Sequence, residues 1–205
     1  MSGRRWVSRS GVRALVLTTI AIVSLASIVV AFFFFLWVSK LDSRLSRLAL
    51  ADARIPVTVT VFGRGTDTVS ARVAFYAPGG ELLGTVERSW AGWELGVDCV
   101  LVRVSGGWVV FPFSVHTDET GDRRGVALFR HYDRAGFPAI YESPQLAAAE
   151  RSSLRGLFTL VKTEGWLPGF FGRLRHERVT IRSFEAGREY SLFVSKEGRL
   201  SLRSE

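Results

Sequence analysis

"AFFFFLWVSK", residues 31–40, sets four phenylalanines in a row ahead of a tryptophan and a lysine. No aqueous surface holds such a run, and where it goes divides the chain. Reading outward, the uncharged span extends from Ala14 to Ser39, 26 residues bounded by Arg13 and Lys40. As a helix rising 1.5 Å per residue it would be roughly 39 Å long, more than the ~30 Å hydrocarbon core of a bilayer. Tilt, or polar ends seated among the headgroups, absorbs the excess. Arg13, Trp37 and Lys40 stand where interfacial anchors stand, the tryptophan in the headgroup belt and the lysine within snorkelling reach.

Two other destinations are weighed against this one. A buried core helix, apolar on every side, has few places to hide in 205 residues. A cleaved signal peptide would suit the basic stretch Arg4, Arg5, Arg9 and Arg13. Signal cores, however, run about 7 to 15 residues and end in small residues at the cut. Here the span closes on Phe-Phe-Phe-Phe-Leu-Trp-Val, and the small residues of "SLAS" (24–27) fall in its middle. An uncleaved anchor is the expectation.

Orientation is nearly balanced. Arg4, Arg5, Arg9 and Arg13 precede the span, and Lys40, Arg44, Arg47 and Arg54 follow it. Basic residues near the ends set topology, and the terminal amine tips the tally. The short arginine-rich tail leading into the apolar run has the form of a signal-anchor. The N-terminus is expected in the cytoplasm, and the rest of the chain outside it, in the periplasm of a bacterial envelope.

The net charge is +8, but 24 of the 27 basic residues are arginine, and the chain has no asparagine. That bias is what a GC-rich coding sequence produces. From Lys40 onward 23 basic and 19 acidic residues leave only +4, an ordinary solvated surface, so no nucleic-acid partner is expected. Cys99, alone, makes no intramolecular disulfide, and in "GVDCVLVRV" it reads as a buried inert thiol.

Past the span, "SKLDSRLSRLALADAR" places Leu41, Leu45 and Leu48 on one helical stripe that ends before Pro56. It reads as a helical stalk over 40–55. Packed on its own domain or at the membrane surface, or joining two copies in a homo-oligomer, both remain open. From Pro56 the period becomes two: "PVTVTVFG" alternates valine and threonine. Pro78-Gly79-Gly80 and Gly106-Gly107 punctuate two hairpins, and "GVALFRHY" reads as a further strand. Ser143 and Pro144 suit the start of a helix over about 144–164, with Leu154, Leu157, Phe158 and Val161 on one face. "RVTIRSF", "REYSLFVS" and "RLSLR" return to strands. The expected plan is a cytoplasmic tail (1–13), a transmembrane helix (14–39), the stalk and a β-rich domain (56–205). That domain is α+β, mostly antiparallel and sandwich-like, with about eight to ten strands and one amphipathic helix.

Chemistry is sparse. His116-Thr-Asp118 and His131-Tyr-Asp133 repeat a pattern that on strands puts imidazole and carboxylate on one face. On neighbouring strands the four would make a metal site; the bland reading is a solvated hairpin loop flanked by surface histidines. No nucleophile elbow, phosphate loop or dinucleotide fingerprint occurs, so no cofactor or catalytic residue is expected. Trp90 and Trp93 in "SWAGWELG" would stack on a sugar if exposed, or plug a sandwich core if not. "GWLPGFFGRLRHER" holds Trp166, Leu167, Phe170 and Phe171 beside Arg173 and Arg175, an apolar tip for a partner or a bilayer surface, or a cap on the sheet. The expected role is tethering: a non-catalytic interaction or scaffold component whose partners are the lipid bilayer and other envelope proteins. An anchored envelope enzyme or a glycan-binding module is the alternative.

Overall fold

The computed structural model describes residues 9–120, 125–163 and 174–204. The chain forms two compact units, Met1–Leu41 and Asp42–Glu205. One helix, α1 (Arg9–Leu45), runs through the first and into the start of the second. Among the described residues it is the one helix long and apolar enough to cross a membrane. Its Val16–Phe33 segment has a mean hydropathy of 2.5, and none of that segment is buried. In hydrocarbon a helix is stable because every backbone N–H and C=O is bonded internally. The Ser27 hydroxyl also bonds within the helix, donating to the Val23 carbonyl one turn back at 2.8 Å. Lys40 is exposed; the side chains of Arg13 and Trp37 lie outside the description.

The second unit is built from two antiparallel sheets. Strands β1 (Ala53–Arg64), β2 (Thr68–Tyr76) and β3 (Leu82–Ala91) open the first. β4 (Leu95–Val104), β5 (Gly107–Thr117) and β6 (Val126–Ala127) belong to the second. β7 (Asp133–Arg134) and β8 (Phe137–Pro138) make a small ribbon, followed by α2 (Ala148–Lys162). β9 (Leu174–Ile181), β10 (Glu189–Val194) and β11 (Leu200–Ser204) complete the chain. The first sheet has the order β11-β10-β1-β2-β3, and the second β6-β5-β4-β9. Three of the eleven strands are two-residue pairings, and the eight longer ones are those legible in the sequence as alternating or continuous apolar runs.

The valine side of β1 (Val57, Val59, Val61) and Ala71, Val73 and Phe75 of β2 are buried, as the alternation predicts. β4 and β5 are buried on both faces, which is why they read as continuous apolar runs rather than alternating ones. A chain of rings links the sheets to α2: Phe75 meets Tyr132 at 5.4 Å, Tyr132 meets Phe158 at 5.5 Å, and Phe158 meets Phe111 at 5.7 Å.

Pro112 sits inside β5 without breaking the ladder. The pairing steps from Asp98–Ser114 to Cys99–Pro112, leaving Phe113 as the extra residue of a β-bulge. Pro112 lies on the free edge of β5, where its missing N–H costs no ladder bond. That edge is closed by side chains. The Tyr141 hydroxyl accepts from Val110 N–H and donates to Val110 C=O, both at 2.8 Å, and Tyr132 donates to Pro112 C=O at 2.7 Å.

Two expectations are corrected. "GVALFRHY" is a strand only over Val126–Ala127; Leu128–His131 then form a 3-10 turn. The run V-A-L-F has no alternation to hold a strand, and the turn sinks Leu128 and Tyr132 into the core. α2 begins at Ala148 rather than beside Pro144. The Ser143 hydroxyl takes the Gln145 N–H into a separate turn, and Glu150 accepts the Ala147 N–H at 2.9 Å, closing the helix start from inside. Its buried face is Leu154, Leu157, Phe158 and Val161.

Within the range read as a stalk, residues 42–52 are bound into the β-rich unit. Asp42 accepts both the backbone N–H of Ser105 (2.7 Å) and its hydroxyl (2.9 Å). Leu45 is fully buried. Leu50 and Trp108 exchange backbone hydrogen bonds at 2.7 and 2.9 Å. Asp52 accepts from Lys196 N–H at 3.2 Å.

Candidate functional site

A polar cluster centres on Asp98, the single carboxylate inside the apolar β4 run. Three strands bring its partners alongside: β4 pairs Asp98 with Ser114 of β5 and with Arg178 of β9, while Gly96 pairs with His116 and Thr180. Residues two apart on each strand share a face, so one patch of sheet carries all six. The Asp98 carboxylate accepts from Arg178 Nε at 2.7 Å and from the Ser114 hydroxyl at 3.1 Å, and His116 Nδ1 stands 3.1 Å away. Side-chain exposure is 5% for His116, 14% for Asp98 and 45% for Arg178, so the cluster opens to water on the arginine side. A carboxylate this covered needs several donors to offset its lost hydration.

Gly96 makes room for the imidazole: a Cβ there would stand 2.7 Å from His116 Nε2. Above the patch lies a cleft of about 260 Å³ whose rim adds Thr180, Arg182 and Glu94. Arg182 pairs with Glu94 at 3.2 Å, so the rim charges are largely matched. Ser114 donates to the carboxylate and not to the imidazole, so the three do not form a nucleophile–base–acid relay. The arrangement locks three strands together and presents a polar, charge-balanced surface.

The four candidate metal ligands, His116, Asp118, His131 and Asp133, have separate tasks in the structure. Asp118 lies one residue past the end of β5 and, although it lines the same cleft as His116, is engaged by the β3–β4 turn. Its carboxylate accepts the backbone N–H of Trp93 (2.8 Å) and Glu94 (3.1 Å) and ties the β3–β4 turn down. Those bonds, Glu94 first, hold its pKa below the ordinary carboxylate range. His131 sits in a 3-10 turn, stacked on Phe75 at 6.2 Å; burial first and Arg130 second push its pKa below the ordinary value. Asp133 pairs with Lys162 at 2.7 Å and accepts the Gly136 N–H. Among the described residues no three His, Cys, Asp or Glu side chains converge on a metal position.

The tryptophans also separate. Trp90 is in the core, and Trp93 is 47% exposed under the Arg64 guanidinium, which lies 5.7 Å from its ring and donates to its carbonyl. Phe184 covers the other contact of that guanidinium at 5.2 Å. A flat tryptophan pair for a sugar is therefore absent at these two positions. Arg175 is exposed on β9 and ion-pairs with Glu177 at 2.9 Å. Trp166, Leu167, Phe170, Phe171 and Arg173 lie outside the described residues. Cys99 is buried, and burial first, then Asp98, raises its pKa far above the ordinary thiol value. It is inert as a nucleophile.

The Asp98 cluster went unread in the sequence, although "GVDCVLV" carried its signal: an acid amid strand residues that bury on both faces must be paired. No protein-family model matches the chain, and no curated protein or solved structure is significantly similar to it. Its class is set by its parts: an N-terminal helix fit by length and composition to cross a membrane, followed by an antiparallel β-rich domain.

Proposed function

We propose that this chain is a single-pass membrane-anchored, non-catalytic interaction or scaffold protein of a bacterial cell envelope, with its N-terminus in the cytoplasm and its β-rich domain in the periplasm. The observation that carries the reading is the wholly unburied apolar segment Val16–Phe33 within a helix that continues to Leu45. Fourteen of that segment's eighteen residues are apolar, and left in water they carry a hydrophobic penalty that lipid removes. Continuity of the helix across residues 31–40 also supports retention of the anchor, because that stretch is both bulky and without the small-residue site a signal peptidase needs. The polar clusters support a binding role over catalysis, since Asp98, Asp118 and Asp133 are each engaged in holding the fold. The tether supplies the mechanism: confinement to two dimensions raises the domain's effective concentration for neighbours in the same membrane.

The test is a pair of C-terminal fusions of the full chain. Alkaline phosphatase should be active and green fluorescent protein dark, with the protein remaining in the membrane pellet after carbonate washing. Fluorescence without phosphatase activity reverses the orientation; release by carbonate, or a mature chain starting beyond Val38, removes the anchor. Co-purification in mild detergent from the native envelope then identifies the neighbours, and recovery of the chain alone from cross-linked membranes would count against a scaffold.

A further inference from the structure

Beside the Arg47–Leu50 segment lies a groove of about 680 Å³. Its floor and walls are apolar: Leu48, Leu50, Pro56, Ala77, Pro78 and Ile140. Its charged lining is Arg47, Arg54 and a single Glu189, an excess of positive charge. Both arginines are exposed. The walls are held rather than loose. Leu50 is fixed by its two backbone bonds to Trp108, and the 77–81 turn is closed by Ala77 N–H to Glu81 C=O at 2.8 Å.

Residue 47 is the eighth after Ser39, where the uncharged span ends. Eight residues of helix advance about 12 Å, and the headgroup layer on each side of a bilayer is about 5 to 8 Å deep. By chain connectivity alone, the short link from Ser39 keeps the groove's first wall in the neighbourhood of the headgroups when the chain is anchored. Apolar walls, two lining arginines and that proximity describe one kind of occupant.

We propose that this groove binds an anionic phospholipid of the surrounding leaflet, its phosphate held by Arg47 and Arg54 and an acyl chain lying along Leu48, Leu50, Ala77 and Ile140. The inference rests on the membrane-anchored reading and adds a ligand to it. Charge complementarity sets the headgroup class: the lining carries two guanidinium groups against one carboxylate, so a zwitterionic headgroup, whose own cation meets the arginines, binds less well. The site then fixes the domain against the bilayer at a second point, in addition to the helix.

The full-length chain in nanodiscs of phosphatidylcholine, doped with phosphatidylglycerol bearing a diazirine in its acyl chain, tests this by photo-cross-linking and peptide mapping. Labels are expected on residues 48–56 and 77–80 as well as on the span. Replacing either arginine (Arg47→Gln or Arg54→Gln) should lower groove labelling about fivefold, the worth of one basic residue at an anionic surface. Labelling confined to residues 14–39 overturns the groove while leaving the anchor standing; no labelling of residues 14–39 overturns the anchored reading itself. Equal groove labelling by a diazirine phosphatidylcholine overturns the anionic preference. Cross-links from the groove to a second copy of the chain would assign it to self-association instead. The wild-type map is decisive without any variant, so a variant that fails to fold does not blunt the test.

Discussion

Removing the Tyr141 hydroxyl separates structural roles that two buried tyrosines otherwise share. Tyr141 closes the free edge of β5 with two bonds, accepting from Val110 N–H and donating to Val110 C=O, whereas Tyr132 makes one, to Pro112 C=O. Val110 is fully buried, and both tyrosines have pKa values raised by burial, so no water replaces either hydroxyl. In Tyr141→Phe an N–H and a C=O lose their partner together; each orphaned group costs about 1 to 2 kcal/mol, for a total of about 3 kcal/mol. Tyr132→Phe orphans one carbonyl, the more tolerant kind of group, and costs about 1 kcal/mol. For a domain of this size that is a fall in Tm of about 6 to 12 °C against about 2 to 4 °C. Urea unfolding of the full chain in detergent, followed by tryptophan fluorescence, reads both. If Tyr132→Phe proves as costly as Tyr141→Phe, or Tyr141→Phe lies within about 0.5 kcal/mol of the parent, edge closure by hydroxyls is not what secures β5.

Asp98→Asn should cost about 2 kcal/mol by urea titration, because Arg178 and Ser114 both lose a charged acceptor, whereas Arg178→Ala should cost under about 1 kcal/mol from its half-exposed position. Gly198 and Gly187 both have φ near +80°, but a Cβ at Gly198 would lie 2.6 Å from the Trp108 indole and one at Gly187 would meet open space. Gly187→Ala is therefore expected to cost about 1 kcal/mol of backbone strain and Gly198→Ala about 3 kcal/mol, with a blue-shifted or broadened Trp108 emission only in the latter. Asp118 has a folded pKa below its unfolded one, so its contribution is complete above the ordinary carboxylate range and fades as pH falls through the folded value. Unfolding midpoints measured downward from about pH 5 should fall more steeply in the parent than in Asp118→Asn, and parallel curves would show that its backbone bonds carry no charge-dependent stability.

The sheets were legible where hydrophobicity alternated or saturated. Val57, Val59 and Val61 announce β1, and the unbroken run of β4 announces a strand covered on both sides. Residues 126–141 were not, because their fold is dictated by what they cover: Leu128, Tyr132 and Ile140 enter the core from turns and Phe137 from a two-residue strand, with no period to read. The candidate site failed for a related reason. Sequence spacing paired His116 with Asp118 as though β5 continued, but the strand stops at Thr117, and the acid that meets the imidazole comes from the neighbouring strand, eighteen positions earlier. Cross-strand register is set by the whole sheet, and no local window contains it.

The fastening of residues 42–52 has a mechanical corollary. Asp42 on Ser105 and Leu50 on Trp108 hold the β4–β5 hairpin, whereas Asp52 on Lys196 holds the β10–β11 turn of the other sheet. Within the β-rich unit, residues 42–52 therefore act as a seam stitched to both sheets, and cutting any one stitch loosens one sheet against the other rather than freeing a terminus.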